Sequence, residues 1–398
     1  MKITDKHSAL AKVGIVSWGS ISCLGSDPST IASRWNSCQH YLTWDHQLEA
    51  WVSRLEEDLE KQLQSLQSEN KYYAKVDRCV LLALYAARKA RANCNWQEDN
   101  NIALNIGTSR GVTTLLERNI LSFYTTQEVP LLSSPLTTQG NISSFVANDL
   151  RLTAASFGHS VTCSSASYAF ANGYAWLLAG LTHRILVGGV EAPLTPFTLA
   201  QMKKLGIYSE SPPNASYPCE PFSIQKKNSV VLGEGCAIFG LEIIQPQKKY
   251  LAQIEGIGIA QEKSPSPTGV TPNALALELA CQRAIEHAQI SPQKIDIILA
   301  HAPGTFTGDH TELNALKAIF NNNLPFCYST KWKIGHLLGA SAALNIELAL
   351  LIFSGQISLS YPYPTYLNNP PFPTSAQYIL INSLGFGGNA MSIILSKH

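Results

Sequence analysis

Short runs rich in β-branched and apolar residues alternate along this chain with longer stretches whose apolar positions recur every three or four residues. Runs of the first kind fall at 12–17, 102–106, 184–187, 236–243 and 253–258, and again at 295–300, 326–329, 377–383 and 391–396, and predict strands. The second kind, at 77–91, 165–179, 273–288, 309–320 and 339–353, predicts helices. Such alternation predicts an α/β architecture with mixed sheets covered by helices. The stretch Leu337–Ala343, rich in Ala and Gly, suits a helix buried between sheets, where small side chains let backbones approach. Two segments, 1–245 and 246–398, share a coarse strand and helix order, and no short-period repeat is evident.

Three segments need separate readings. Residues 49–71 are the most charged part of the chain and read as an exposed amphipathic helix, a surface excursion. The Pro-rich stretches 264–272 and 361–373 read as loops, since strand and helix patterns resume on both sides. Val13–Leu24 follows Lys2, Lys6 and Lys12 as a signal-peptide core would. Gly14, Gly19 and Ser20 interrupt it and no small-residue cleavage site follows, so a strand and turn are expected.

Composition adds an interface. The 398 residues are 45% hydrophobic but only 14% charged, against roughly 25% in a typical domain, so surface is expected to be hidden in a homodimer or heterodimer. A net charge of +1 gives no reason to expect nucleic acid or an anionic membrane as partner. No apolar run approaches the ~20 residues that span a bilayer. The nine cysteines are scattered, with no C-x-x-C pair and no zinc-type spacing, which predicts reduced thiols, a cytoplasmic location and no metal site.

One cysteine stands apart. Cys163, in Ser160-Val161-Thr162-Cys163-Ser164-Ser165-Ala166, ends a short apolar run just where a helical pattern begins. Unpaired N–H groups and the positive end of the helix dipole favour thiolate there and can hold a developing oxyanion. Taken locally, a buried cysteine is more often a small core residue than a nucleophile, and a single histidine is more often structural than catalytic. Two polar clusters change the odds: His301-Ala302-Pro303-Gly304-Thr305, and Lys331-Trp332-Lys333-Ile334-Gly335-His336. Lys333 reads as a solvated surface charge.

Six motifs in order resemble the β-ketoacyl-acyl-carrier-protein synthases of the thiolase-like fold. They are Thr162-Cys163-Ser164-Ser165; Gly188-Gly189-Val190-Glu191-Ala192; Pro221-Phe222 with Leu232-Gly233-Glu234-Gly235; His301 to Thr305 with Gly308, Asp309 and Glu312; Ser329 to Ala340, containing Lys331 and His336; and Asn382 to Asn389, containing Gly385, Phe386 and Gly387. The resemblance implies two pseudo-duplicated mixed-sheet halves with buried helices between them. It divides the chain into 1–245, carrying the nucleophile, and 246–398, carrying the histidines. It implies an acyltransferase performing decarboxylative condensation of an acyl thioester on Cys163 with a malonyl thioester. Both substrates ride on the phosphopantetheine of an acyl carrier protein, with no bound cofactor. His301 and His336 would stabilise the enolate, and Lys331 would tune them with Glu312 as a counter-charge and Asp309 in support. The backbone N–H groups of Cys163 and Phe386, freed by Gly385 and Gly387, would form the oxyanion hole, and Thr305 would hold the arm.

Departures from that pattern are equally informative. Pro303 stands where the family usually has Thr, removing one hydroxyl from the expected grip on pantetheine. Glu220-Pro221-Phe222-Ser223 replaces an Arg-Pro-Phe-Asp run. These differences point toward specialised polyene or polyketide enzymes, including aryl-polyene and flexirubin types. The alternatives are a housekeeping fatty-acid elongation synthase, a coenzyme A-dependent thiolase-like acyltransferase, and a non-catalytic chain-length-factor-like partner. The last is at odds with Cys163, and a catalytic subunit that pairs with such a partner is compatible with it.

Overall fold

The computed structural model describes residues 11–96, 99–263 and 266–398. Its strands are β1 (Val13–Ser22), β2 (Thr43–Asp45), β3 (Ala50–Ser53), β4 (Ala103–Gly107), β5 (Ser156–His159), β6 (Arg184–Glu191), β7 (Leu232–Gly233), β8 (Gly235–Ile243), β9 (Ala252–Gln261), β10 (Ile297–Leu299), β11 (Phe326–Tyr328), β12 (Tyr378–Gly385) and β13 (Asn389–Ser396). The α-helices are α1 (Pro28–Asn36), α2 (Glu57–Ser68), α3 (Arg78–Asn93), α4 (Thr113–Thr126), α5 (Ser133–Thr137), α6 (Asn141–Asp149), α7 (Ser165–Leu178), α8 (Pro196–Lys204), α9 (Leu275–Ala288), α10 (Phe306–Ile319), α11 (Lys331–Ile334) and α12 (Ser341–Phe353).

Ten strands form one hydrogen-bonded sheet, in the order β11-β10-β12-β13-β9-β1-β8-β6-β4-β5. Read outward from its middle, each side repeats the same plan. β5, β4 and β6 run parallel, and β8 then β1 continue antiparallel. Likewise β11, β10 and β12 run parallel, and β13 then β9 continue antiparallel. The two sets meet where Val13–Ile15 pairs antiparallel with Ala252–Ile254. This is the duplicated mixed-sheet arrangement expected of the thiolase-like fold.

Two helices are packed inside. α7 lies on β4, β6 and β8, and α12 lies on β6, β8 and β12 while touching α7. Every residue of α12 is buried, and Phe170, Phe239, Trp332, Leu344 and Ile393 join in one core around it. A helix that is apolar on most of its surface makes sense only there, since water would otherwise meet one face.

The charged stretch 49–71 departs from its expected single exposed helix. Ala50–Ser53 form a buried strand of a small sheet, β2-β3-β7, and only Glu57–Ser68 are helical. Leu59, Leu63 and Leu66 turn one face of α2 into the core, while its acidic first turn, with Glu57, Asp58 and Glu60, sits at the positive end of the helix dipole. The Trp51-Val52 pair, favouring extended backbone, overrides the helical period on either side. Helices α4, α5 and α6 and strand β5 had no clear periodic signal. The start of the 264–272 loop, Ser264 and Pro265, lies outside the described residues. Among the described residues no helix is long and apolar enough to cross a membrane.

Candidate active site

The nucleophile candidate sits in a tight turn between β5 and α7. Ser165 Oγ donates to Thr162 O (2.7 Å) and accepts from Val161 N (2.9 Å), which closes the turn around Cys163. Thr162 takes φ +48°, the left-handed region that a β-branched residue avoids, at a cost of about 1–3 kcal/mol. Gly107, at the end of β4, must be glycine for α7 to begin here, because a Cβ would lie 2.3 Å from Ser165 O.

Cys163 is 6% exposed and packs with Leu199, Met202, Leu232 and Leu338. Burial pushes its thiol up to about 12, the buried carboxyl of Glu191 adds to the rise, and Lys331 opposes it. The thiolate expected from the helix start is thus not the resting form. Desolvation outweighs the end of the helix dipole in this apolar surround.

His301 follows β10. Its N–H donates to Glu312 Oε1 (2.9 Å) and that of Ala302 to Glu312 Oε2 (2.6 Å), while Asn382 Nδ2 adds a third donor at 3.2 Å. Asp309 continues the cradle, accepting from Gly304 N (3.1 Å), Thr305 N (3.2 Å) and Phe222 N (2.9 Å). Two carboxyls from one helix therefore hold the His301 loop by its backbone. Burial pushes the carboxyl of Asp309 up to about 7.

His336 lies between α11 and α12. Its N–H donates to Val231 O (2.6 Å), and its Nδ1 lies 3.0 Å from Ser341 Oγ. The two imidazoles stand edge to face, centroids 5.3 Å apart. Burial first, then the nearby Lys331 ammonium, hold His301 well below the ordinary histidine range and His336 at about 3. Both rings are neutral at pH 7, so each has one N–H to donate.

Lys331 is buried, its Nζ makes no hydrogen bond, and burial lowers it to about 8. Glu312 acts on it across space, but its oxygens are spent on backbone N–H groups and do not form an ion pair with it. Lys333 corrects the sequence reading outright. It is fully buried, and its ammonium caps the end of α1 by donating to Arg34 O and Trp35 O (2.9 Å each) and to Ser37 O.

The hairpin loop between β12 and β13 completes the site. Gly385 passes so close to the nucleophile turn that a Cβ would lie 2.1 Å from Thr162 Oγ1, and the Phe386 ring remains 38% exposed above it. Cys163, His301, His336, Thr305, Phe386 and Met202 face one open-mouthed cavity of ≈ 1150 Å³, including the space at its mouth. Pro303, Glu312 and Gly385 also border it, whereas the buried Lys331 and Asp309 and the exposed Gly387 do not line it. Sequence reasoning missed Asn228, which borders the cavity and bonds both Phe306 N (3.0 Å) and Gly206 O (2.8 Å). It also missed Leu338, held at φ +40° beside Cys163, a conformation that nothing in Leu-Leu-Gly announces. Among the described residues no group of three His, Cys, Asp or Glu is placed to hold a metal ion.

This duplicated scaffold is shared with solved structures. Residues 25–244 match the family described as "Beta-ketoacyl synthase, N-terminal domain" and residues 251–359 that described as "Beta-ketoacyl synthase, C-terminal domain". The chain belongs to the β-ketoacyl synthase family. It is 29% identical over 254 residues to 3-oxoacyl-[acyl-carrier-protein] synthase 2 of Mycobacterium leprae, a stretch covering 58% of each chain. The first curated relatives it matches are thus spanned over about three fifths of their length. Its fold matches a structure of a type II PKS acyl-carrier protein in complex with its ketosynthase bound to the hexaketide (TM-score 0.84, 19% identity, 98% of this chain and 100% of that one). It also matches the ketosynthase ApeO in complex with its chain length factor ApeC from Xenorhabdus doucetiae (TM-score 0.78, 21% identity, 99% and 100%).

Proposed function

We propose that the protein is a condensing enzyme that joins an acyl group to a malonyl unit with loss of carbon dioxide, both carried on the phosphopantetheine arm of an acyl carrier protein. The observation that carries this reading is the meeting of a buried thiol and two neutral imidazoles at one apolar-walled cavity. The Cys163 sulfur attacks the acyl thioester, and the arm's thiol departs with the proton that the cysteine gives up. Oxyanion charge is met by the N–H groups of Cys163 and Phe386; among the described residues no acceptor occupies the latter. The malonyl thioester then loses carbon dioxide, and the enolate oxygen accepts hydrogen bonds from His301 and His336. The enolate carbon attacks the acyl-cysteine, and the released sulfur takes up a proton. Burial keeps the imidazoles neutral and the Lys331 charge adds to it, and Glu312 and Asp309 hold the loop that presents His301. No step draws on a bound cofactor.

The exposed Lys203, Lys204, Lys226 and Lys227 flank the cavity residues Met202 and Asn228 and suit a carrier of acidic surface. Pro303 on the cavity wall, where a hydroxyl would grip the arm, favours a specialised polyketide or polyene line over fatty-acid elongation. A homodimer, or a heterodimer with a chain-length-factor-like subunit, is supported by exposed apolar side chains on and beyond α4, among them Leu121, Tyr124 and Leu131, and by Phe157 on the edge strand β5. All nine cysteines are free, as suits a reducing cytoplasm.

The test is mass spectrometry of the protein incubated with a panel of acyl-carrier proteins, followed by malonyl-carrier protein. An acyl adduct on Cys163 and release of carbon dioxide are expected. An adduct confined to another cysteine would reject the assignment.

A further inference from the structure

The Phe386 carbonyl is held from two sides. Asn389 Nδ2 donates to it at 3.0 Å and to Thr162 Oγ1 at 3.3 Å, while the Thr162 hydroxyl itself lies 3.5 Å from the same carbonyl. Only the NH₂ end of the amide can face a carbonyl oxygen, so the orientation of Asn389 is settled by its partner. On the other side of that peptide, Gly387 N donates to Pro267 O at 3.0 Å. The peptide plane after Phe386 is therefore pinned at both its oxygen and its N–H. Asn389 is 7% exposed, its Oδ1 has no partner, and both its amide atoms would crowd any Cβ at Gly385. A buried amide with an unmet acceptor costs stability, and here only the bonds of its donor end offset that loss. The residue it reaches, Thr162, is the strained neighbour of the nucleophile.

We infer that Asn389 is a positioning residue that fastens the Phe386 loop to the Cys163 turn, so that the thiol and the loop N–H above it keep one register. The inference rests on the proposed acyl transfer for the role of that N–H, but the fastening itself is a property of the two loops. Without the amide, the carbonyl of Phe386 loses its best donor and keeps only the 3.5 Å contact with the Thr162 hydroxyl, while the Gly387–Gly388 side of the loop is still held by Pro267 O, Gln261 Nε2 and Glu262 N. Thr162 then has only that 3.5 Å contact of its hydroxyl to hold its strained backbone against the hairpin.

The experiment is a double-mutant cycle of Asn389→Ala and Thr162→Val, with Thr162→Ser as the variant that keeps the hydroxyl. Acylation of Cys163 is expected to slow by about three- to tenfold in each single variant, the worth of one hydrogen bond. The loss should appear in turnover and not in the Michaelis constant, because register matters only as the oxyanion forms. The double variant should be no slower than the slower single one, and Thr162→Ser should stay within about twofold of wild type. Alkylation of Cys163 by iodoacetamide, which needs no oxyanion hole, should quicken in both single variants and no further in the double, as the loosened Phe386 loop uncovers the thiol. Losses that multiply in the double variant, or a raised Michaelis constant at unchanged turnover, would overturn the link while leaving the condensing function intact. Wild-type protein that takes no acyl group at Cys163 would reject the functional reading instead, and the alkylation cycle would then judge the link alone.

Discussion

The two halves of the large sheet are built alike and used differently. Cys163 lies in the connection from β5 to the buried helix α7, and His336 in the connection from β11 to the buried helix α12, the same place in each plan. His301 follows β10 as Thr108 follows β4, and Phe386 follows β12 as Ala192 follows β6. One half thus supplies a thiol in an apolar nest, and the other supplies the proton donors and the glycine-rich loop. The halves differ again at their outer edges. On β11 the Asn369 amide caps both groups of Cys327, receiving its N–H at 3.0 Å and donating to its carbonyl at 2.8 Å. On β5 the Ser143 hydroxyl donates to Phe157 O, and the Phe157 ring is 46% exposed. The outer edge of the C-terminal half is thus capped at Cys327 from within the chain, whereas an exposed aromatic ring stands at the edge strand of the N-terminal half.

The division of chemistry predicts unequal losses. Cys163→Ala should abolish acyl loading and condensation while leaving the fold, since the turn is closed by Ser165 and not by the thiol. Intact-protein mass spectrometry and circular dichroism check both points, and residual loading would show that the N-terminal half does not hold the nucleophile. His301→Ala and His336→Ala should each slow malonyl decarboxylation on the order of 10²–10³-fold, the effect of losing one oxyanion donor, while Cys163 still loads. Separate measurement of loading and of carbon dioxide release tests that split.

The contrast in edges can be broken in the same way. Phe157→Asp and Leu121→Glu should each weaken self-association or partner binding by roughly ten- to a hundredfold, as expected for one buried apolar side chain per subunit worth about 1.5–3 kcal/mol. Sedimentation velocity reads the outcome. Asn369→Ala, at the opposite edge, should instead lower stability by about 1–3 kcal/mol and leave the oligomer unchanged, because it uncovers backbone groups without removing a contact surface.

The smallest effect concerns the helix between the halves. Glu347 on α12 is fully buried, with Ser20 Oγ donating to one carboxyl oxygen, no partner on the other, and the Lys89 ammonium near enough to oppose its rise. Burial raises its carboxyl from 4.5 to about 7. The native state therefore keeps this proton at a pH where the unfolded chain has lost it, so the stabilisation is fully present below 4.5 and fades as pH rises through 7. Glu347→Gln should raise the melting temperature by a few degrees at pH 8.5 and leave it nearly unchanged at pH 4.5. An equal shift at both values would mean that the carboxyl does not titrate there.

The amino-acid sequence by itself determined the strand and helix alternation, the buried character of α12, and the clusters around Cys163, His301 and His336, because period, composition and residue chemistry are local properties. Glu312, Asp309 and the glycines of the Phe386 loop entered through the family resemblance, and the structure has both carboxyls on the backbone of the His301 loop. Other features were decided only by tertiary structure. Residues 49–71 divided into strand and helix because Trp51 and Val52 had a sheet to join. Lys333 went inside because the open end of α1 lay across from it, some 300 positions away in the chain. Desolvation set the protonation of Cys163 and of both histidines, and no stretch of sequence reports how much water its neighbours exclude. The pairing of Asn389 with Thr162 joins the two halves across 227 positions. Such contacts depend on where the folded chain returns, which local pattern cannot encode.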